Sequence, residues 1–359
     1  IQVIKSADKK ANGNSKYYNF LGIQYTLTNT RTHETKTVDL SADGTGTFDD
    51  LLYDVYTVQE TKTNEYYQLN TDIQTLDVST PMKLKANFTD NGETGRIDII
   101  KTSKDADSLK NPYYTFEGIE YTITNVENGS KTIAHLNGNG TANVDNLILG
   151  DYKIQETKTN QWYEIDNTVY SVRIVASQKN TQQVKINPIV TRFNCSDQPV
   201  YVDFDLTKTS SDTRLDVSGY YSLSGAEYTL ENTRDKSITG HGSKMITDAN
   251  GYARSQKVLY DDWQVHETRA PQGYAIDPTY YNLPHTAQQP GKTLTIKSTN
   301  GTNPTDTPQT TIQREGNKVN AETGNTDTPG AASLENAVYA VKYYSQANKN
   351  EVTTTTTPL

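Results

Sequence analysis

Tyr17-Tyr18-Asn19-Phe20-Leu21-Gly22-Ile23-Gln24-Tyr25-Thr26-Leu27 recurs twice further along this chain, as Tyr113-Tyr114-Thr115-Phe116-Glu117-Gly118-Ile119-Glu120-Tyr121-Thr122-Ile123 and Tyr220-Tyr221-Ser222-Leu223-Ser224-Gly225-Ala226-Glu227-Tyr228-Thr229-Leu230. Self-similarity of this kind marks tandem modules. Each copy runs on to a glycine-rich tight turn: Asp43-Gly44-Thr45-Gly46, Asn137-Gly138-Asn139-Gly140 and Asp248-Ala249-Asn250-Gly251. Such turns between alternating segments read as hairpins. Val55-Tyr56-Thr57-Val58-Gln59-Glu60-Thr61 then has counterparts in Asp151-Tyr152-Lys153-Ile154-Gln155-Glu156-Thr157 and Trp263-Gln264-Val265-His266-Glu267-Thr268.

Every module opens on a strand that ends in lysine: Ile1-Gln2-Val3-Ile4-Lys5, Ile97-Asp98-Ile99-Ile100-Lys101 and Val202-Asp203-Phe204-Asp205-Leu206-Thr207-Lys208. Strand alternation puts each lysine on the face of its apolar neighbours. The repeats place module boundaries at 1–91, 95–192 and 199–303. Residues 304–359 read as a linker and the start of a fourth module, opened by Lys318 and cut before its glutamate. Short strands at regular spacing, without a capped helix of normal length, give an all-β chain of tandem sandwiches, three complete and one partial.

Composition narrows the function. Tyrosine is abundant at 25 residues and apolar residues make up only 33%, which suits half-buried strands better than helical cores. A net charge of −9 without basic patches argues against nucleic acid. No apolar run approaches the ~20 residues of a spanning helix, so membrane insertion is not expected. Ile1 follows no signal peptide, so a secreted protein would be represented here in mature or excised form. The single Cys195, in Phe193-Asn194-Cys195-Ser196-Asp197, excludes an intramolecular disulfide framework and reads as an incidental thiol between modules. The five histidines have no metal spacing and no phosphate-binding loop is present, so no cofactor, metal or turnover enzyme is expected.

The chemistry sits with the lysines. Burial disfavours a charged amine and raises the pKa of a neighbouring carboxyl. Glu60 follows Lys5 by 55 residues, Glu156 follows Lys101 by 55, and Glu267 follows Lys208 by 59. A third group is sought on each closing strand: Asn87, Asn187 and, one residue late, Asn300, with Asn303 as its competitor. Asn87 and Asn187 fall out of phase with the apolar alternation, so a bulge is required to turn them inward. A desolvated lysine, a protonated glutamic acid and a carboxamide form a single-turnover site: the amine attacks the carboxamide carbon, the acid relays protons, and ammonia leaves.

Strand-Lys, Gly-x-x-Tyr-Thr-Leu/Ile, an Asp/Asn-Gly turn and Tyr-x-Val/Ile-x-Glu-Thr together resemble the SpaA-type and Cna B-type modules of Gram-positive pilins and adhesins. His266-Glu267-Thr268-Arg269-Ala270-Pro271-Gln272-Gly273-Tyr274 is the nearest match, whereas modules one and two have Thr-Lys-Thr-Asn after the glutamate. The resemblance implies transthyretin-like sandwiches, Lys–Asn isopeptide bonds and an extracellular place on a bacterial cell wall. The function it implies is an adhesin stalk, with the wall reached through a C-terminal anchor and host protein or glycan bound by other domains. Two alternatives stand beside the stalk. The modules themselves could bind host ligands through Tyr66-Tyr67, Trp162-Tyr163 or Tyr280-Tyr281. A polymerising pilus subunit is disfavoured, because Tyr-Pro-Lys and Leu-Pro-x-Thr-Gly segments are absent from this sequence.

Overall fold

The structure, a computed structural model, describes residues 1–8, 16–176, 189–213 and 220–309. The chain divides into two compact units, Ile1–Pro199, holding modules one and two, and a second starting at Val200, holding module three. Among the described residues, strands are nearly the only regular secondary structure in both, as the turn spacing predicts.

Module one contains β1 (Gln2–Ala7), β2 (Gln24–Asn29), β3 (Thr35–Asp39), β4 (Thr45–Thr47), β5 (Asp54–Lys62), β6 (Ile73–Val78) and β7 (Lys85–Asp90). They form a three-stranded sheet in the order β4-β1-β7 and a four-stranded sheet in the order β3-β2-β5-β6. The first and last strands are direct neighbours and run parallel, Lys5 opposite Phe88. Val3, Ile23, Tyr25, Leu27, Val58 and Phe88 fill the space between the sheets. Each such side chain contributes about 1.5–3 kcal/mol on burial.

Module two repeats the plan with β8 (Thr94–Ser103), β9 (Glu120–Asn125), β10 (Lys131–His135), β11 (Thr141–Ile148), β12 (Gly150–Lys158), β13 (Val169–Ile174) and β14 (Val190–Asp197). Its sheets are β11-β8-β14 and β10-β9-β12-β13. β14 lies parallel to β8 and ends at Asp197, past the expected limit of 192. The segment around Cys195, read as lying between modules, is therefore the end of a closing strand.

Module three contains β15 (Tyr201–Thr207), β16 (Thr209–Ser210), β17 (Glu227–Asn232), β18 (Ser243–Ile246), β19 (Tyr252–Arg254), β20 (Val258–Leu259), β21 (Trp263–Arg269), β22 (Tyr280–Leu283), β23 (Thr293–Thr295) and β24 (Thr305–Asp306). β18-β17-β21-β22 is one four-stranded sheet, and β15, flanked by β19, β20 and β23, forms the other. Here the closing strand is interrupted. β23 runs parallel to β15, a loop closed by Ser298 and Thr302 intervenes, and β24 resumes the parallel pairing against β16. Module three thus extends past 303. Most of the expected fourth module, including Lys318, lies outside the described residues.

Candidate functional site: three buried lysine–carboxylate clusters

Alternation carries each lysine into a core. Val3 and Lys5 are buried on one face of β1, Ile97, Ile99 and Lys101 on one face of β8, and Phe204, Leu206 and Lys208 on the strand face of module three. The glycine turn fixes the lysine's backbone. Lys5 N–H donates to Gly44 O at 2.8 Å, Lys101 N–H to Gly140 O at 2.8 Å and Lys208 N–H to Gly251 O at 2.7 Å. These three glycines have φ of +82°, +78° and +75°, and a Cβ on any of them would collide with the lysine carbonyl.

The glutamates stand where the repeats place them. Lys5 Nζ lies 2.5 Å from Glu60 Oε2, Lys101 Nζ 2.8 Å from Glu156 Oε2 and Lys208 Nζ 2.8 Å from Glu267 Oε1, with all six side chains sealed from solvent. A backbone N–H ten residues on holds each carboxylate: Asn70 at 3.3 Å, Asp166 at 3.2 Å and Asp277 at 2.6 Å.

The third member is an aspartate. Lys5 contacts Asp90, Lys101 contacts Asp197 at 2.5 Å, and Lys208 contacts Asp306, again with every side chain fully buried. Of the expected asparagines, Asn87 and Asn300 are not there. β7 keeps strict alternation, with Ala86, Phe88 and Asp90 inward and Asn87 outward. No bulge interrupts its pairing with β1, so Asn87 never reaches the core. Asn300 is exposed in the turn between β23 and β24, and Asn303 meets Lys297 near the surface. Asn187 lies outside the described residues. A recurring signal was available in the sequence: Thr89-Asp90, Ser196-Asp197 and Thr305-Asp306 close all three modules. Asp90 and Asp197 each precede the next module's lysine by eleven residues.

A tyrosine from the diagnostic repeat completes every cluster. Tyr25 Oη lies 3.1 Å from Lys5 Nζ, Tyr121 Oη 2.6 Å from Lys101 Nζ, and Tyr228 Oη 2.9 Å from Lys208 Nζ. The amines also sit about 5 Å from the centres of these rings, at 5.2, 4.9 and 5.1 Å. Burial pushes all three phenols well above their ordinary range, so they stay neutral. Module two has a further neighbour: Cys195 Sγ is 3.1 Å from Tyr121 Oη. Cys195 occupies the register position opposite the lysine that Phe88 holds in module one. Burial raises its thiol pKa, which disfavours the reactive thiolate.

Electrostatics favour protonated carboxyls. Burial, opposed by Lys5 and reinforced by Asp90, lifts Glu60 to about 7. Burial lifts Asp197 and Asp306 to about 6 against the pull of their lysines. One cation facing two carboxyls in a dry core leaves a surplus negative charge unless one carboxyl takes a proton. The arrangement therefore holds an amine, a carboxyl carbon and a proton-carrying acid in mutual contact. Among the described residues no cluster of His, Cys, Asp and Glu is arranged to hold a metal. The surface aromatic pairs divide, with Tyr67, Tyr163 and Tyr281 packed in cores and Tyr280 exposed.

No curated protein sequence matches this chain. Among solved structures, the Bacillus anthracis TIE protein is similar over 82% of this chain, with a TM-score of 0.52 and 20% identity. This chain spans about half of that protein, 49% of its length. The streptococcal ancillary pilin aligns over 86% of this chain and 98% of its own, at TM-score 0.28 and 12% identity. BcpA, the major pilin subunit of Bacillus cereus, aligns over 86% and 99%, at 0.29 and 14%. The SpaA prealbumin-like fold domain matches residues 9–92, 95–188 and 203–302. The resemblance carried by the lysine, tyrosine and glutamate repeats is borne out: the chain belongs to the SpaA prealbumin-like domain family, in three tandem copies.

Proposed function

We propose that this chain is a structural stalk segment of a Gram-positive cell-surface protein, and that each module stitches its first strand to its last by a Lys–Asp isopeptide bond. The pairs are Lys5–Asp90, Lys101–Asp197 and Lys208–Asp306, with Glu60, Glu156 and Glu267 as the acids. The observation that carries this reading is the fully buried contact of each lysine amine with both carboxyls. On this reading host ligands and the cell wall are engaged by other parts of a longer protein.

The lysine passes one proton to a carboxylate, and the resulting neutral amine attacks Cγ of the protonated aspartic acid. A C–N bond forms, the C–OH bond breaks, and the glutamic acid gives its proton to the departing hydroxyl while taking one from the amine. Water leaves, where an asparagine acceptor would release ammonia. Each cluster reacts once, so no turnover follows. Because the joined strands are parallel neighbours, tension applied to the two ends of a module shears their ladder, and a covalent tie across it takes that load. The tie also closes a loop of nearly a whole module, a stabilisation of about 4–5 kcal/mol by analogy with long-loop disulfides.

Intact-protein mass spectrometry tests the reading. The folded chain should weigh three waters less than its sequence, and Glu156→Gln should restore one of them while leaving a folded protein. A folded chain at full sequence mass, or one lighter by ammonia, would defeat the assignment.

A further inference from the structure

One hydrogen bond recurs in all three modules and aligns a short apolar run. The aromatic residue at the start of the glutamate strand donates to the carbonyl four residues earlier: Tyr56 Oη to Leu52 O at 3.0 Å, Tyr152 Oη to Ile148 O at 2.8 Å, and Trp263 Nε1 to Leu259 O at 2.9 Å. The equivalent runs are Leu51-Leu52-Tyr53, Leu147-Ile148-Leu149 and Val258-Leu259-Tyr260. In modules two and three they are buried, Leu149 to 1% exposure and Tyr260 to 7%. In module one Leu52 is 77% exposed and Tyr53 66%, next to Met82 at 63%. Leu51, Tyr53 and Met82 line one concavity with Ile1 and Val78, and with the charged Asp49, Asp50 and Lys83 at its side.

What covers the run in module two is the Tyr-Tyr loop of module one. Tyr18 Oη donates to Glu93 O at 2.6 Å and accepts the Leu149 N–H at 2.8 Å. Tyr17 Oη donates to Asp151 at 2.5 Å, and Lys16 Nζ reaches Glu127 at 3.2 Å. In module three the His285 ring, 6.0 Å from that of Tyr260, packs on the run from within the module. Among the described residues nothing covers Leu52 and Tyr53 of module one's run in this way.

We propose that this end of module one is the seat for the Tyr-Tyr loop of another prealbumin-like module, docked as module one docks on module two. Charge narrows the occupant. Asn29 and Asn125 hold matching turns, accepting from the N–H groups of Arg31 and Glu127 at 2.9 and 3.0 Å. Arg31, bound to Asp54 through Nε and Nη2 and still 71% exposed at its side chain, thus stands where module two presents Glu127, and Val55 stands where it presents Asp151. A loop with lysine before its tyrosines, like Lys16 and Tyr17, would find neither of the carboxylate partners it has on module two. The seat therefore fits a loop with an acidic residue facing Arg31 better than a second copy of module one's own loop.

The test extends the full chain upstream with a copy of residues 1–96 carrying Lys16→Glu, a junction that reproduces the spacing between modules one and two. Amide hydrogen exchange at residues 51–54 of the seated module should slow about tenfold relative to the unextended chain, and Leu52→Glu in that module should abolish the effect. Unchanged exchange there, with the added copy's own strands protected and hence folded, overturns the proposal. It is equally overturned if the unextended chain sediments as a dimer that Leu52→Glu dissolves, which would assign the seat to a second copy.

Discussion

Whether a side chain on β7 meets Lys5 depends on the parity of its position. Asn87 is odd to the inward set and Asp90 is even, so a strand without a bulge delivers the carboxylate and withholds the carboxamide. The lysines and glutamates were legible because period-two alternation and threefold register both point at them. The acceptor was not, because a carboxamide and a carboxylate both suit the chemistry and only strand phase separates Asn87 from Asp90. Asp90→Ala should abolish one water's loss, whereas Asn87→Ala should leave the mass deficit and the melting temperature unchanged; mass and calorimetry on both variants check this. Glu60 also sets a pH dependence. Its folded pKa of about 7 lies above the unfolded value of 4.5. The folded state therefore binds the proton more tightly, and this contribution to stability is complete below about 4.5 and fades as pH rises through 7. Joining Lys5 to Asp90 removes both charges but not the burial that dominates the shift, so the direction persists. Thermal melts between these limits should show module one weakening with rising pH, and Glu60→Gln should flatten the trend.

At the scale of elements, one geometric constant links the modules: each aspartate sits opposite the residue two beyond its lysine, Ala7, Ser103 or Ser210. Two strand residues span about 7 Å, a distance an extended lysine side chain covers. The offset survives in module three although a loop splits its closing strand, and that loop hides β24 from strand periodicity. The hairpin turns, by contrast, were plain from Asp/Asn-Gly chemistry. Their glycines do more than reverse the chain, since each accepts the lysine's N–H through its own carbonyl. Gly140→Val forces a branched residue to φ +78° against the Lys101 carbonyl. It should destabilise module two by roughly 1–3 kcal/mol or more and lower the fraction that loses water, read by calorimetry and mass. Tyr121→Phe keeps the ring but removes the hydroxyl that holds the amine. It should slow bond formation about tenfold, the equivalent of one hydrogen bond of roughly 1–1.5 kcal/mol, in a time course of mass after refolding.

For the molecule as a whole, modular architecture was readable from internal repetition alone, while the seat on module one emerged only from comparing equivalent positions in space. Lys5→Ala, Lys101→Ala and Lys208→Ala combined should yield a chain at full sequence mass that unfolds faster in denaturant, because the closed loops that slow unfolding would be gone. The eleven-residue interval between one aspartate and the next lysine has a topological consequence. With the three bonds in place, a backbone nick anywhere in 6–89, 102–196 or 209–305 leaves the polypeptide in one covalent piece. Between Lys5 and Asp306, one cut can divide it only between Asp90 and Lys101 or between Asp197 and Lys208. Most of both windows is β8 and β15, each flanked by neighbours in its sheet, so the places where scission would matter are those a protease reaches last.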